Sequence, residues 1–260
     1  MIPKKIHYCW FGQNPLPELA QKCIASWKKF CPDYEIIEWN ESNFDVNCCD
    51  YVKEAYAAKK WAFVSDYARF KILYEYGGLY FDTDVELIKP IDDIVAKGNF
   101  IGRENEHDLS VAPGLGLGTI PHLNIYKTLL ELYQTIHFIN ADGSQNSKTI
   151  VDYTTEIFVE LGLEKLNTVQ YINGIYVYPK EYFCPIDYDT NELSITNNTY
   201  SIHHYTASWY DESQRYALKL KRKYSRIFPR KIAAVLATAV AKTKYDGFGA
   251  CMKWIFKKRK

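Results

Sequence analysis

The sequence predicts an α/β protein with a sheet flanked by helices, followed by a basic helical tail. Short apolar and aromatic runs alternate in the first 90 residues with segments of helical apolar spacing, and glycine, proline or asparagine follows most of the runs. This alternation is typical of a parallel sheet whose ligands bind outside the carboxyl ends of its strands. A segregation of charge sets the end of the chain apart.

The first elements can be predicted in chain order. KKIHYCWFG is an apolar run closed by Gly12, which predicts a strand and a loop, and PELAQKCIASWKKFCP has helical spacing between prolines. YEIIEWN predicts a second strand. Two more helices are predicted, one from Val46 to Lys60 and one from Trp61 to Gly77.

The next predicted strand, LYFDTDVELI, contains two aspartates one residue apart. Strand alternation would place Tyr80, Asp82, Asp84 and Glu86 on one face, where the two aspartates would repel each other unless a cation lay between them or one was protonated. Mg²⁺ or Mn²⁺ with water and a diphosphate would satisfy this geometry. The alternative is a solvated edge turn, where aspartate is common, and the D-x-D pattern alone favours that alternative.

Two charges lie on or beside the apolar stripe of the preceding helix. Asp66 and Arg69 are three residues apart, so they are neighbours on the helix surface. One interpretation is an internal ion pair that docks the helix. The other is ligand binding, in which Asp66 accepts from ribose or sugar hydroxyls and Arg69 donates to hydroxyls or phosphate oxygens. The residues alone leave both interpretations open.

The middle of the chain is less regular. Residues 98–120 predict short strand and loop, 121–136 and 149–162 predict helices, and 169–205 predict short strands. The stretch GLGLG lacks the spacing of a dinucleotide fingerprint and the lysine of a P-loop, so it is only a weak indication of a phosphate cradle.

Composition excludes several classes of protein. No apolar window approaches the roughly 18 residues of a membrane span, and the amino terminus lacks a basic segment followed by an apolar run, so we expect neither an integral protein nor a signal peptide. The seven cysteines lack metal-ligand spacing and are odd in number. They therefore favour reduced cytosolic thiols over a disulfide framework or a zinc site.

The charge distribution predicts a membrane partner for the tail. Residues 1–214 carry 17 Lys or Arg against 30 Asp or Glu, a net charge of −13, whereas residues 215–260 carry 15 against the single acid Asp246, a net charge of +14. A basic, aromatic, amphipathic segment suits an anionic membrane surface. A solvated basic helix pair is the alternative, and we expect no nucleic-acid partner because no nucleic-acid-binding fold accompanies the charge.

Four stretches together resemble a known family: IPKKIHYCWFG, WAFVSDYARFKILYEYGGLYFDTDVEL, GIYVYPKEYFCP and TYSIHHYTASW. The set is similar to the bacterial capsular polysaccharide glycosyltransferases of glycosyltransferase family 32, and more distantly to the clostridial glucosylating toxins. The most specific part joins S-D-x-x-R through G-G-x-Y-x-D to D-x-D. The resemblance implies a GT-A fold with a Rossmann-like mixed sheet, a nucleotide-diphosphate-sugar donor, a divalent metal and retention of anomeric configuration.

The resemblance also implies roles for residues near the donor. Trp10 would stack on the nucleobase, Asp66 and Arg69 would contact ribose and sugar, and Tyr80 would belong to the same donor site. Asp82 would bind the metal and the ribose, and Asp84 and His204 would bind the metal. The hydroxyl of Ser208 would lie near the metal, and the indole N–H of Trp209 would donate to a diphosphate oxygen. The resemblance favours His204 over His203 as a metal ligand, because related metal-dependent transferases place a ligand histidine directly before an aromatic residue, here Tyr205. His203 is interpreted as a core residue of an apolar strand.

The prediction is therefore a metal-dependent, retaining hexosyltransferase that uses Mn²⁺ or Mg²⁺. Residues 1–212 would form the catalytic domain and 213–260 a membrane-associated helical region. The donor would be a nucleotide sugar, a UDP-sugar by resemblance, and the acceptor a lipid-linked saccharide in capsule or surface polysaccharide synthesis at the inner face of the cell membrane. The alternatives are a soluble or protein-modifying transferase, a nucleotide-sugar hydrolase, and a non-catalytic sugar-binding protein.

Overall fold

The computed structural model describes residues 1–105, 108–206 and 211–257. The chain forms two compact units, the first made of residues 1–185 and 195–204 and the second of residues 186–194 and 205–260. The second unit thus begins before the predicted boundary at 212/213 and takes in an additional loop. The functional division into a catalytic domain and a tail stays a prediction.

The first unit contains a seven-stranded mixed sheet in the order β2-β1-β3-β6-β5-β8-β7. β1 pairs in parallel with β2 and β3, β5 is parallel to β8, and β6 and β7 run antiparallel to their neighbours. The predicted mixed sheet flanked by helices is confirmed, although strand and helix alternation alone suggested a fully parallel sheet. The strand bounds are β1 Lys5–Cys9, β2 Glu35–Trp39, β3 Gly78–Tyr80, β5 Phe100–Gly102, β6 Leu117–Thr119, β7 Gln170–Ile172 and β8 Ile175–Tyr178.

The helices of the first unit follow the predicted apolar periods closely. α2 is shorter than predicted because residues 46–49 form a turn, in which the side chain of Asp45 accepts a hydrogen bond from the Asn47 amide at 2.9 Å. The last residue of α3 is Tyr76, and the helix is capped by Gly77, whose φ of 62° favours glycine. The bounds are α1 Glu18–Phe30, α2 Asp50–Ala57, α3 Trp61–Tyr76, α4 Asp92–Val95, α5 Asn124–Tyr133, α6 Ile150–Glu160 and α7 Lys180–Phe183.

The predicted strand LYFDTDVELI is wrong as one continuous element. β3 ends at Tyr80, residues 83–84 form a turn, and β4 (Val85–Leu87) begins a separate two-stranded sheet with β9 (Ser201–His203). The Val85 amide donates to the Asp82 carbonyl at 3.0 Å, which closes the turn. The apolar period concealed this break because the residues on both sides of it are buried. We call residues 82–85 the DXD turn.

The described residues of the second unit form three helices: α8 Glu212–Tyr224, α9 Arg230–Asp246 and α10 Phe248–Lys257. Asp211 and Gln214 form a capping box at the start of α8. Ala233, Ala237 and Ala241 recur on the buried face of α9, where small side chains allow α8 and α10 to pack closely. Across the described residues, no helix is both long and apolar enough to span a membrane.

Candidate active site

The candidate site is assembled at the carboxyl ends of β1 and β3, which are neighbours in the sheet. Trp10 follows β1 directly and the DXD turn follows β3. The carboxyl edge of such a sheet is where its loops can bind ligands. The structure therefore brings two of the predicted site segments to one edge.

Asp66 and Arg69 on α3 form a buried ion pair. Arg69 Nη2 lies 3.0 Å from Asp66 Oδ1, and their side chains are 5% and 10% exposed, respectively. Burial raises the pKa of Asp66 to about 7, although Arg69 acts against that shift. The internal ion pair, one of the two interpretations of the sequence, is therefore present.

The same arginine also reaches the DXD turn. Arg69 Nη1 lies 3.4 Å from Asp82 Oδ1, and Arg69 Nε donates to the Ser65 carbonyl at 3.2 Å. Burial opposes the charge of Arg69, but Asp82, Tyr80 and Asp66 together raise its pKa above the ordinary value. Arg69 therefore stays charged and fixes the position of the Asp82 carboxylate relative to α3.

Gly114 supplies the other wall around Asp82, and sequence reasoning missed it. The Asp82 amide donates to the Gly114 carbonyl at 2.9 Å, and a Cβ added at Gly114 would lie 1.8 Å from Asp82 Oδ2. Only glycine allows this approach. The GLGLG stretch, considered earlier as a weak phosphate cradle, thus accommodates a carboxylate. Its sequence signal was the glycine repeat, but nothing local indicated the partner.

Tyr80 lies beneath this arrangement. It is 1% exposed, and the guanidinium of Arg69 lies 4.9 Å from its ring centroid. β3 ends at Tyr80, so the predicted strand face does not continue to Asp82, Asp84 and Glu86, although Arg69 contacts both Tyr80 and Asp82. In this structure Tyr80 supports Arg69, and its predicted contact with a donor stays a prediction.

The structure places the side chains of the two histidines beside different carboxylates. β9 pairs with β4 so that the His203 imidazole lies beside Asp84, with Nε2 to Oδ1 at 3.2 Å, and His204 Nε2 lies 2.9 Å from Glu86 Oε2. Burial lowers the pKa of His203, but the Asp84 carboxylate outweighs it and holds that pKa well above its usual value. His203 is thus an imidazole at the DXD turn, whereas the side chain of His204 pairs with Glu86 and its backbone amide donates to the Asp84 carbonyl at 3.0 Å. The predicted role of His204 as a metal ligand stays a prediction.

Glu104 is a second residue that sequence reasoning missed. It follows β5, which runs parallel to β3, so it lies at the same edge of the sheet. Burial raises the pKa of its carboxyl group above the ordinary value, although the nearby charge of His203 acts against that shift. Its place two residues beyond a buried strand was the available signal.

Trp10 is half-buried at the end of β1. Its amide donates to the Trp39 carbonyl at 2.9 Å, and its indole Nε1 donates to the Asn14 carbonyl at 2.6 Å. Beside it, Gly12 packs so closely on Trp61 that an added Cβ would lie 2.6 Å from the indole. The loop after β1 is therefore an aromatic surface at the edge of the sheet, and stacking on a base stays a prediction. Ser208 and Trp209 lie outside the described residues.

A family model built from known proteins matches the part of the chain that contains α3 and the DXD turn. A family model described as "Glycosyltransferase sugar-binding region containing DXD motif" matches residues 17–101, about a third of the chain. That segment includes Asp66, Arg69, Asp82 and Asp84, the four residues predicted to contact the sugar, the ribose or the metal.

Curated relatives match a similar share of the chain. Inositol phosphoceramide mannosyltransferase 1 of Schizosaccharomyces pombe is 32% identical over 111 residues, covering 38% of this chain and 33% of that protein. Subversion of eukaryotic traffic protein A of Legionella pneumophila is 27% identical over 128 residues, covering 38% and 20%. The chain thus matches a third or less of the length of these relatives. The family model and the relatives support a glycosyltransferase-type protein.

Solved structures resemble this one only distantly. A glycosyltransferase involved in glycosylation of the major capsid of PBCV-1 is 14% identical with a TM-score of 0.46, over 78% of this chain and 94% of that chain. PaToxG glycosyltransferase is 21% identical with a TM-score of 0.41, over 50% and 60%. No residue role is transferred from these structures.

Proposed function

We propose that this chain is a metal-dependent, retaining glycosyltransferase of the GT-A type that transfers a hexose from a nucleotide-diphosphate sugar. The observation that best supports the proposal is the DXD turn. Its two carboxylates follow the carboxyl end of β3, and Arg69 and Gly114 hold Asp82 in place. The turn also lies within the segment matched by the sugar-binding family model.

The donor atoms of the DXD turn fit a hard divalent cation. Mg²⁺ is usually held by one or two carboxylates together with waters and phosphate oxygens, and Asp82 and Asp84 supply such carboxylates. Over the ranges that the structure describes, no group of three or more His, Cys, Asp or Glu could hold a metal ion. Water and the donor diphosphate would complete the coordination of Mn²⁺ or Mg²⁺. When bound, the cation would stabilise the diphosphate as the sugar leaves.

The protein residues have mainly positioning roles in this proposal. Arg69 orients Asp82, and the imidazole of His203 lies 3.2 Å from Asp84 and positions that carboxylate. Trp10 would stack on the base of a UDP-sugar. Retention follows if the acceptor attacks the face from which the diphosphate departs and a phosphate oxygen takes the acceptor proton. This route requires no enzyme nucleophile, and we assign none.

We propose a lipid-linked saccharide as the acceptor, in the synthesis of a surface polysaccharide at the inner face of the cell membrane. Two of the relatives are named as mannosyltransferases of inositol phosphoceramide, which is a lipid. The composition of the second unit also favours a membrane surface, because its helices and the turn between α8 and α9 expose apolar side chains beside many cations. These exposed residues are Ile227, Phe228, Ile232, Val235, Leu236, Val240, Tyr245 and Phe248.

Calorimetric titration of UDP into the protein tests the donor site. We expect binding with Mn²⁺, loss of binding with EDTA, and loss in Asp84→Ala. Asp92→Ala, which removes an exposed carboxylate on α4, should bind as the wild type does. Binding that is unaffected by EDTA and by Asp84→Ala would contradict the metal role, and binding of GDP without UDP would contradict the uridine assignment.

Vesicle flotation tests the membrane proposal separately. We expect Ile232→Gln/Leu236→Gln to weaken binding to vesicles that contain phosphatidylglycerol. Val159→Gln/Leu161→Gln removes two comparably exposed apolar residues from the first unit and should leave vesicle binding unchanged. Equal behaviour of the two double variants would contradict membrane association through α9.

A further inference from the structure

A cavity of about 480 Å³ lies within the second unit. α8 forms one wall, and residues 190–191 and 205–206 contribute the other. Five of the lining residues are cations: Arg215, Lys219, Arg222, Lys223 and Arg226. We call this cavity the basic cleft.

The spacing of the cations explains why they meet in one place. Residues 215, 219, 222 and 223 follow an i, i+4, i+7, i+8 pattern, so their side chains project from one face of α8. Arg226 lies in the turn just after the helix. The sequence therefore directs four positive charges to one face of α8 and a fifth to the turn that follows it.

The acidic residues of this unit do not neutralise the cleft. Among the residues that the structure describes, the lining contains no Asp or Glu. Asp189 instead pairs with Lys221 at 2.5 Å, and Asp187 and Asp189 pair with Arg230 at 3.2 and 3.1 Å. Neither Lys221 nor Arg230 lines the cleft. The two carboxylates thus compensate cations beside the cavity and leave those inside it in excess.

None of the five lining cations has an ion pair with any residue that the structure describes. Arg222 is held by carbonyl groups, with Nε donating to Tyr188 and Nη2 to Tyr205, both at 3.4 Å. Like charges four residues apart on a helix repel each other, as Arg215 and Lys219 do. Lys221, Arg222 and Lys223 complement the helix dipole in the last turn, but that explanation does not extend to Arg215 in the first half of α8.

We propose that the basic cleft binds a ligand with a multiply charged phosphate group, either a diphosphate or a phosphomonoester. Arginine forks match phosphate oxygens in pairs, and lysine adds point charges. Polar side chains of Thr190 and Asn191 line the opposite wall. The volume lies within the 300–1,000 Å³ typical of small-molecule sites.

Two sources could supply this chemistry: a phosphate-bearing lipid headgroup or a soluble phosphate compound. The inference does not rest on the proposed glycosyl transfer, because it concerns the second unit and is tested without a donor or a metal. Failure of metal-dependent UDP binding would leave it standing, and its own failure would leave the donor site standing.

The test compares two triple variants of the full-length chain. Arg215→Gln/Lys219→Gln/Arg222→Gln removes cleft charges, and Lys231→Gln/Lys244→Gln/Lys253→Gln removes the same charge from the same unit outside the cleft. One arm titrates inorganic pyrophosphate by calorimetry in EDTA. The other measures binding to phosphatidylcholine vesicles that contain phosphatidic acid or phosphatidylglycerol at equal surface charge. Far-UV circular dichroism checks that both variants keep their helices.

We expect the cleft variant to lose at least about tenfold in affinity in one of these arms, and the control variant to lose much less. Loss of the preference for phosphatidic acid would identify a lipid headgroup, and loss of pyrophosphate binding alone would identify a soluble ligand. Equal binding by the two variants in both arms would overturn the proposal. Tighter binding of duplex DNA than of pyrophosphate, lost in the same variant, would indicate nucleic acid and would overturn it as well.

Discussion

The two units of this protein differ in whether their clustered charged side chains are paired within the chain. In the first unit, Arg69 is buried between two carboxylates, and each of the three charges has a partner within the chain. In the second, five cations line the basic cleft, and none of the described residues of its lining is a carboxylate. A buried charge must be compensated by the fold itself, so it positions its neighbours. An exposed excess of charge is left for a ligand.

Removal of Arg69 should give the largest effect. Arg69→Ala leaves Asp66 and Asp82 without their cation, and we expect a loss of about 3–5 kcal/mol in the free energy of unfolding. Lys71→Ala on the same helix breaks only the exposed pair with Glu75 and should cost less than about 1 kcal/mol. Urea unfolding measures both. A similar small loss in the two variants would mean that the buried network does not stabilise α3.

Substitution of Gly114 tests the contact between the glycine loop and the DXD turn. A Cβ at this position overlaps Asp82 Oδ2, so Gly114→Ala should displace the carboxylate and weaken metal-dependent UDP binding by about tenfold or more. The strain should cost about 1–3 kcal/mol of stability.

Gly249→Ala is the matched control, because nothing lies within 4 Å of an added Cβ there. It lies in α10, where alanine is the better helix former, so stability should rise by about 0.5–1 kcal/mol. UDP affinity that is unchanged in Gly114→Ala would contradict the proposed support of Asp82.

A third test measures how stability depends on pH through Glu54, another carboxylate of the first unit that has hydrogen-bond partners. Glu54 on α2 accepts hydrogen bonds from the Phe138 and Ile139 amides, both at 2.9 Å, and from His137. Burial opposes its charge, but these donors hold the pKa of Glu54 below its usual value. Its contribution is therefore complete above the unfolded pKa of about 4.3 and is lost as pH falls through the folded pKa.

We expect Glu54→Gln to lower stability by about 1 kcal/mol near neutral pH and to approach the wild type near pH 3. Chemical unfolding across pH measures the difference. Glu131→Gln, which breaks only an exposed helical pair with Lys127, should show little change at any pH. A loss of stability in Glu54→Gln that grows as pH falls would contradict the lowered pKa of Glu54 in the folded protein.

The smallest expected effect has the opposite sign and concerns the second unit. Arg215 lies in the first half of α8, four residues from Lys219, so both the helix dipole and its neighbour disfavour its charge. Arg215→Gln should therefore raise stability by about 0.3–1 kcal/mol at low salt. Lys221→Gln removes one of the two cations that pair with Asp189 and should not stabilise the protein. A loss of stability in Arg215→Gln, measured by thermal unfolding, would show that the charge of Arg215 is compensated and would contradict the difference drawn between the two units.

Sequence reasoning succeeded where a period was long and uninterrupted. The spacing from Trp61 to Tyr76 fixed α3 and placed Asp66 and Arg69 together on it, and the apolar runs fixed β1 and β2. It failed at the DXD turn, because a strand buried on both faces continues into another buried strand without a change in hydrophobicity.

Contacts between distant segments were the other limit. The fit of Gly114 against Asp82 joins residues 32 apart in sequence, and no local pattern encodes that approach. The choice between His203 and His204 depended on the register of β9 against β4. A shift of one residue exchanges the faces of a strand, and the sequence of β9 alone does not set its register.

The DXD turn is fastened at both ends. Arg69 and Gly114 hold Asp82, the Val85 carbonyl accepts from the Trp27 indole at 2.7 Å, and His203 lies against Asp84. A ligand that binds here meets carboxylates that are already ordered. Little conformational entropy is then lost on association, so more of the contact energy is available as affinity. The same rigidity leaves the turn little freedom to adapt to ligands of different size.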